Sequence, residues 1–285
     1  MAVIFAFCCI FCSAMNDFVF KLFARKPRSR GLFVLVIGLT WSATSLCLPG
    51  LKGASWQTTI IWGIISGLFS VIGNLLLIEA MGKQSAGLCS TIYRLNLALV
   101  VPGAAIIFKE HNTLLQYIGI AAALAAVLFF LPGSVSKEKR SDGKLGLILV
   151  IIAAILRAGM GLAYKYGFNL GASANGVNLI NGFCWIAGGA VYYFLRERSN
   201  SENESWSIKL ASYGVLSGLF VFGIVFFMAH SVNLGNASIV LPIMQMSFIV
   251  TFVLSAVFLK EKITVYKFMA LASGAAALLL LSIKP

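Results

Sequence analysis

GIISGLF, residues 63–69, returns 151 residues later as GVLSGLF, residues 214–220. The spacing is not confined to one heptapeptide. FKEHNT at 108–113 returns as LKEKIT at 259–264 with the same offset. Between these two matches Ala86 falls on Ala237, so the register holds without a gap across two apolar segments. A looser match joins DFVFKLF, 17–23, to GLAYKYG, 161–167, at an offset of 144. The chain therefore reads as two related halves.

Each half is built for lipid. The 285 residues are 60% hydrophobic and 11% charged, where soluble domains have roughly half and a quarter. Apolar runs of about 20 residues, the length that crosses a bilayer, recur from end to end. Their approximate limits are 2–23, 31–48, 58–80, 86–108, 114–132, 144–168, 176–195, 208–231, 236–259 and 265–284. The expected fold class is an all-α integral membrane protein of ten spans, five to a half: residues 1–135, a connecting loop at 136–143, and residues 144–285. Five is odd, so the second half inserts upside down relative to the first. Inverted repeats are an architecture of alternating-access carriers. The first apolar run reads as a span and not a cleaved signal, because no basic segment precedes it.

The net charge of +13 belongs to the loops. Fifteen Lys and Arg residues fall in odd-numbered loops and three in even loops or the C-terminus, which by the positive-inside rule puts both termini outside. No basic stripe interleaved with aromatics is present, so nucleic acid is excluded as a partner. The six cysteines lie in apolar segments and there are two histidines; neither a metal site nor a cofactor is expected. No GxxxxGK[ST] loop exists to drive transport with ATP. No constellation of paired carboxylates, clustered histidines or nucleophile and base suggests an intramembrane enzyme.

The two Lys-Glu-x-x-Thr turns come before last helices rich in Ala and Gly, GIAAALAAVLFFLP and ASGAAALLLLSIK; SAGLCS and GNASIV open spans 4 and 9. On these features the whole chain resembles the EamA-type members of the drug/metabolite transporter superfamily. The resemblance implies ten helices around a central cavity lined by spans 1, 3, 4, 6, 8 and 9, in a cell membrane such as the bacterial inner membrane. Members usually keep both termini in the cytoplasm, whereas the basic loop here follows the first span and reverses that orientation.

Ionisable side chains at bilayer depth mark candidate sites, because each costs about 2.5–3.5 kcal/mol even on the lenient insertion scale. Arg94 and Arg157 stand near the middle of spans 4 and 6. Either they form a site for a carboxylate or phosphate, which a guanidinium fork grips well, or they are structural and neutralised by Asp17 or by helix carbonyls. Tyr93 and Asn96 flank Arg94, although Arg94 is turned about 100° from Tyr93 on a helix. The repeat places Gln245 opposite Arg94, and Asn74 is a further candidate. Asn178 and Asn181 read as interhelical hydrogen-bonding amides. Asp17 and Lys21 share a helix face at i, i+4, and Lys165 is the repeat mate of Lys21. Asp17 is the candidate for proton coupling. Gly63 and Gly67, like Gly214 and Gly218, suit close helix contact; bends are expected at Pro102 and Pro242; Glu110 and Glu261 suit the helix dipoles of spans 5 and 10.

The expected function is secondary transport of a small polar metabolite, anionic or zwitterionic, with a proton or an exchanged solute for coupling and a homodimer as the assembly. The competing expectations are efflux of amphipathic or cationic compounds and, in another class, an intramembrane enzyme or lipid-handling scaffold.

Overall fold

A computed structural model describes residues 1–47, 55–109, 113–133, 140–198, 206–234, 244–261, 263–281 and 283. Every regular element among them is helical: α1 (Ala2–Ala24), α2 (Arg30–Leu46), α3 (Trp56–Lys83), α4 (Ala86–Arg94), α5 (Leu97–Phe108), α6 (Leu114–Gly133), α7 (Arg140–Asn169), α8 (Ala174–Tyr192), α9 (Ile208–Leu234), α10 (Ser247–Phe258) and α11 (Val265–Leu281). Serine begins five of them. Ser29, Ser55, Ser85, Ser173 and Ser207 each accept a backbone N–H three residues on, satisfying one of the donors a helix start leaves free. Five segments are long and apolar enough to cross a membrane, with shorter apolar helices beside them. Large apolar side chains such as Ile106, Leu124 and Phe268 point outward, as a lipid-facing surface requires.

The packing pairs exchange the halves. α3 lies on α7 and α8, whereas α9 lies on α1 and α2; α2 meets α8, α4 meets α10, and α6 meets α11. Gly63 and Gly67 of α3 face Ile180 and Cys184 of α8, while Gly214 and Gly218 of α9 face Val36 and Thr40 of α2. A Cβ at Gly67 would lie 2.6 Å from the Cys184 sulfur, and one at Gly218 2.6 Å from Thr40 Cβ. Absence of a side chain is what lets these helices approach.

Span 4 departs from the expected continuous helix. It stops at Arg94 and restarts at Leu97, while α5 runs on through Pro102 without a break. The hydrogen bonds account for the position of the break: Ala98 and Leu99 donate only three residues back, to Leu95 O (3.0 Å) and Asn96 O (2.9 Å). This tightens the backbone at Leu95, whose φ and ψ are −73° and 5°. Met246, 151 residues later, interrupts span 9 with φ −70° and ψ 2°. Lys109 and Lys260, also 151 residues apart, both turn left-handed, with φ of 55° and 53°. Glu110, Pro242 and the GNASIV segment lie outside the described residues.

α8 continues as a π turn, Tyr193–Glu197, which swings Glu197 against the start of α2. Its carboxylate accepts from Ser29 Oγ (2.6 Å), Arg30 N (2.9 Å) and Gly31 N (3.1 Å). Arg30 also lies 3.7 Å from Glu79 of α3. Nearby, the Phe23 and Phe33 rings stack with centroids 3.8 Å apart, so the basic end of the bundle, where α1 finishes, is firmly packed.

Candidate substrate cavity

α1, α4 and α10 converge on one carboxylate oxygen. Asp17 is 2% exposed, and its Oδ2 accepts from Ser90 Oγ at 2.6 Å and Thr251 Oγ1 at 3.4 Å. Arg94 Nη2 stands 3.5 Å from the same oxygen. Ser90 and Arg94 are one turn apart on α4, so both reach the same side. Beside Asp17, Asn16 Oδ1 accepts the Ser217 hydroxyl and ties α1 to α9.

Above this cluster lies a cavity of about 90 Å³. Its polar wall includes Asp17, Asn74, Tyr93, Arg94 and Arg157. The Tyr93 ring has Arg94 Cζ 6.0 Å from its centroid and Arg157 Cζ 5.4 Å from it, within cation–π reach. Arg94 already faces Asp17. Arg157 is half-buried and, among the described residues, makes no hydrogen bond or ion pair. Among the described residues, the cavity thus carries one uncompensated positive charge.

Two buried N–H groups on the lining also have no acceptor among the described residues, Arg94 Nε and Trp41 Nε1. Trp41 meets Trp185 edge to face, with centroids 5.8 Å apart. The contrast between the two indoles is informative, because Trp185 Nε1 donates to Ser70 Oγ at 2.9 Å. Asn16, Ser70 and Tyr164 complete the polar lining, and the α9 side is apolar. Val221, Ile224, Val225 and Met228 come from one face of α9, at the spacing of a helical stripe.

Sequence reasoning placed Asp17, Asn74, Tyr93, Arg94 and Arg157 on candidate positions, and the fold brings these five together. Asn96, Gln245 and Lys165 do not line the cavity. Asn96 is two positions past Arg94, about 200° round the helix, and its carbonyl serves Leu99 and Val100 at the break. From α10 it is Thr251, not Gln245, that reaches Asp17. Lys165, two turns beyond Arg157, holds its Nζ 4.7 Å from the Phe108 ring. Asn181 donates to the Tyr164 hydroxyl and accepts from Ser66 at 3.2 Å, the interhelical role its apolar setting suggests. Trp41, Trp185 and Ser90 were not singled out from sequence; a hydroxyl one turn before a mid-span arginine was the available signal for Ser90.

Asp17 and Lys21 do not pair with each other, despite their spacing. Lys21 Nζ instead donates to the end-of-helix carbonyls of Met81 (2.7 Å) and Gln84, and sits 4.0 Å from Glu261 Oε1. The unpaired C-terminal carbonyls of α3 attract a cation, and Asp17 already has three donors. Glu261 Oε1 accepts Ala86 N at 3.0 Å, so its carboxylate serves the start of α4. Gln84 Nε2 donates to Gly143 O at 2.6 Å. This network crosses the bundle at its basic end.

A helical bundle with a lipid-facing exterior and a charged internal cavity is the form of a multi-pass membrane transporter. Residues 144–283 match the EamA-like transporter family, which supports membership of the drug/metabolite transporter superfamily. One crystal structure shares the fold across 99% of this chain and 98% of its own, with a TM-score of 0.61 and 17% identity; at that identity the likeness concerns fold alone. No curated protein matches the sequence.

Proposed function

We propose that the chain is a secondary carrier for a small anionic metabolite, working by alternating access between two inverted five-helix repeats, residues 1–135 and 144–285. The observation that carries this reading is Arg157: a guanidinium at bilayer depth, open to a cavity and without a carboxylate partner among the described residues. A charge so placed is held at a cost unless a ligand meets it. The repeat is supported by the paired irregularities at Leu95 and Met246 and at Lys109 and Lys260. It is supported also by the reciprocal packing of α3 on α8 and α9 on α2.

In this reading the structure represents one end of the cycle, sealed at the basic end by Lys21, Glu261 and Gln84. The anion enters from the opposite end, beside Met228. A proton taken by Asp17 removes the counter-ion from Arg94, which then joins Arg157 on the anion; the two arginines are released when the proton leaves. Efflux of a cation fits less well, because the guanidinium groups of Arg94 and Arg157 on the cavity wall outnumber the Asp17 carboxylate. The basic loops put this end in the cytoplasm and the termini outside.

The test is counterflow in proteoliposomes loaded with a panel of organic anions. External labelled anion is expected to accumulate against its gradient for at least one member, and Arg157→Gln is expected to abolish that exchange. Exchange of amines alone, or exchange indifferent to Arg157, contradicts the proposal.

A further inference from the structure

α1 carries two polar side chains one helical turn apart. Asp17 belongs to the cavity, and Lys21, four residues nearer the basic end, meets the end of α3. We infer that Lys21 is the gate of the basic end: its ammonium grips the last carbonyls of α3 while that end is shut, and releases them when α1 moves away to open a path to the cavity. The inference rests on the alternating-access reading and names the contact such a movement breaks.

The packing marks this seam as the place to part. α9 lies on α1 and α2, whereas α3 lies on α7 and α8. The two groups are joined closely along α2 and α8, where Gly31 and Gly189 bring the backbones together, and only thinly between α1 and α3. At the seam Lys21 Nζ donates to Met81 O at 2.7 Å and to Gln84 O at 2.5 Å. Carbonyls at a helix C-terminus lack intrahelical donors and attract a cation. Gly82 leaves room for the contact, since a Cβ there would stand 3.3 Å from Ala24 O.

Glu261 adds charge but no bond. Its Oε1 accepts Ala86 N at 3.0 Å and stays 4.0 Å from Lys21 Nζ, beyond hydrogen-bond length. The ammonium is therefore bonded to α3 and only drawn toward Glu261. Both side chains are partly exposed, 14% and 16%, whereas Asp17 is buried, so the Lys21 contact is the outer of the two layers. An ion pair at such a surface breaks and re-forms at little cost, because water takes over its bonds.

α4 spans the same two layers. Ala86 meets Glu261 and Ser90 meets Asp17. Cys89, one turn past Ala86 and fully buried, packs in one apolar cluster with Phe20 and Met81. A path opened along this seam passes Cys89, which makes its thiol a native reporter of the gate.

The test is the rate at which a membrane-impermeant methanethiosulfonate bearing a sulfonate group modifies Cys89. The protein carries serine at the other five cysteines and is reconstituted in vesicles of both orientations. Lys26→Cys, at an exposed position between α1 and α2, identifies the basic side when Cys89 is serine too. In the parent, Cys89 is expected to react slowly from either side. Lys21→Met should raise the rate from the basic side alone by about ten-fold or more, through a shifted population of the open state. Glu261→Gln keeps the Ala86 bond and removes the charge, so its gain should be smaller. Lys21→Arg keeps a cation for the carbonyls and should restore a slow rate. Cys9, buried nearer the other end of α1 and bonded to Ile224 O, is the control for folding. As the single cysteine it should react no faster with Lys21→Met than without it. A Cys89 rate that ignores Lys21→Met overturns the gate, as does a gain from the opposite side or a parallel gain at Cys9. Counterflow separates this inference from the carrier reading. Exchange that proceeds while Cys89 ignores Lys21 removes the gate and leaves the carrier; a Cys89 rate governed by Lys21 without exchange of any solute does the reverse.

Discussion

Asp17→Asn should lower stability and raise anion affinity in the same protein. Asp17 Oδ2 collects a 2.6 Å bond from Ser90, a 3.4 Å bond from Thr251 and the Arg94 guanidinium at 3.5 Å. Removing one member of a buried ion pair costs about 3–5 kcal/mol. The asparagine oxygen can still take the Ser90 hydroxyl and the guanidinium contact is long, so the expected loss is about 2–3 kcal/mol. The opposite effect falls on a bound anion. A carboxylate about 6–8 Å away repels it by about 2–3 kcal/mol at an effective dielectric of about 20. Removing that repulsion tightens binding by roughly 30-fold or more, at 1.4 kcal/mol per factor of ten. The assay pairs thermal unfolding with calorimetric titration of propane-1-sulfonate, whose charge does not change with pH. At a fixed pH, sulfonate affinity should be higher in Asp17→Asn than in the parent, because Asp17 no longer repels the anion or holds Arg94. Weaker sulfonate binding in Asp17→Asn would refute the reasoning, since it would mean that Asp17 helps to hold the ligand.

Arg157→Gln, which removes an unpaired charge and one cation–π contact, should change folding stability by no more than about 1 kcal/mol while abolishing counterflow; a large fall in the unfolding midpoint would show a structural role. Glu197→Ala strands the donors of Ser29, Arg30 and Gly31 and should cost about 3–4 kcal/mol, with anion affinity in the surviving folded protein unchanged by titration. At the α2–α8 crossing, a Cβ on Gly189 would lie 2.5 Å from Leu35 N and 2.6 Å from Gly31 O. Gly189→Ala is therefore expected to cost at least about 1–3 kcal/mol, visible as a lowered melting temperature. Gly171 has φ of +86° and open space around it, so Gly171→Ala should cost only about 1 kcal/mol.

The helices and their limits were legible because a bilayer enforces long apolar runs and serine marks where they start. Arg94, Arg157 and Asp17 were legible for the same reason: a charge inside such a run has few places to go. Partners were less so. Asp17 and Lys21 share a face by spacing, but which neighbour each meets depends on how α4 and α10 cross α1, and periodicity carries no information on that. The break at Leu95 was masked by Pro102, the residue that breaks helices most often; here the tightening at Ala98 and Leu99 sets the position instead. Trp41 could not be ranked from sequence, because its significance lies in an absent acceptor. The register of 151 residues, by contrast, was written in a heptapeptide and reappears in backbone angles at Lys109 and Lys260.

The most direct measurement is the transient current on a supported membrane carrying the reconstituted protein, when a compact organic anion is applied at fixed pH. The account predicts a saturable current that grows with an inward proton gradient and is absent in Arg157→Gln. A current carried equally well by the Arg157→Gln protein would contradict it.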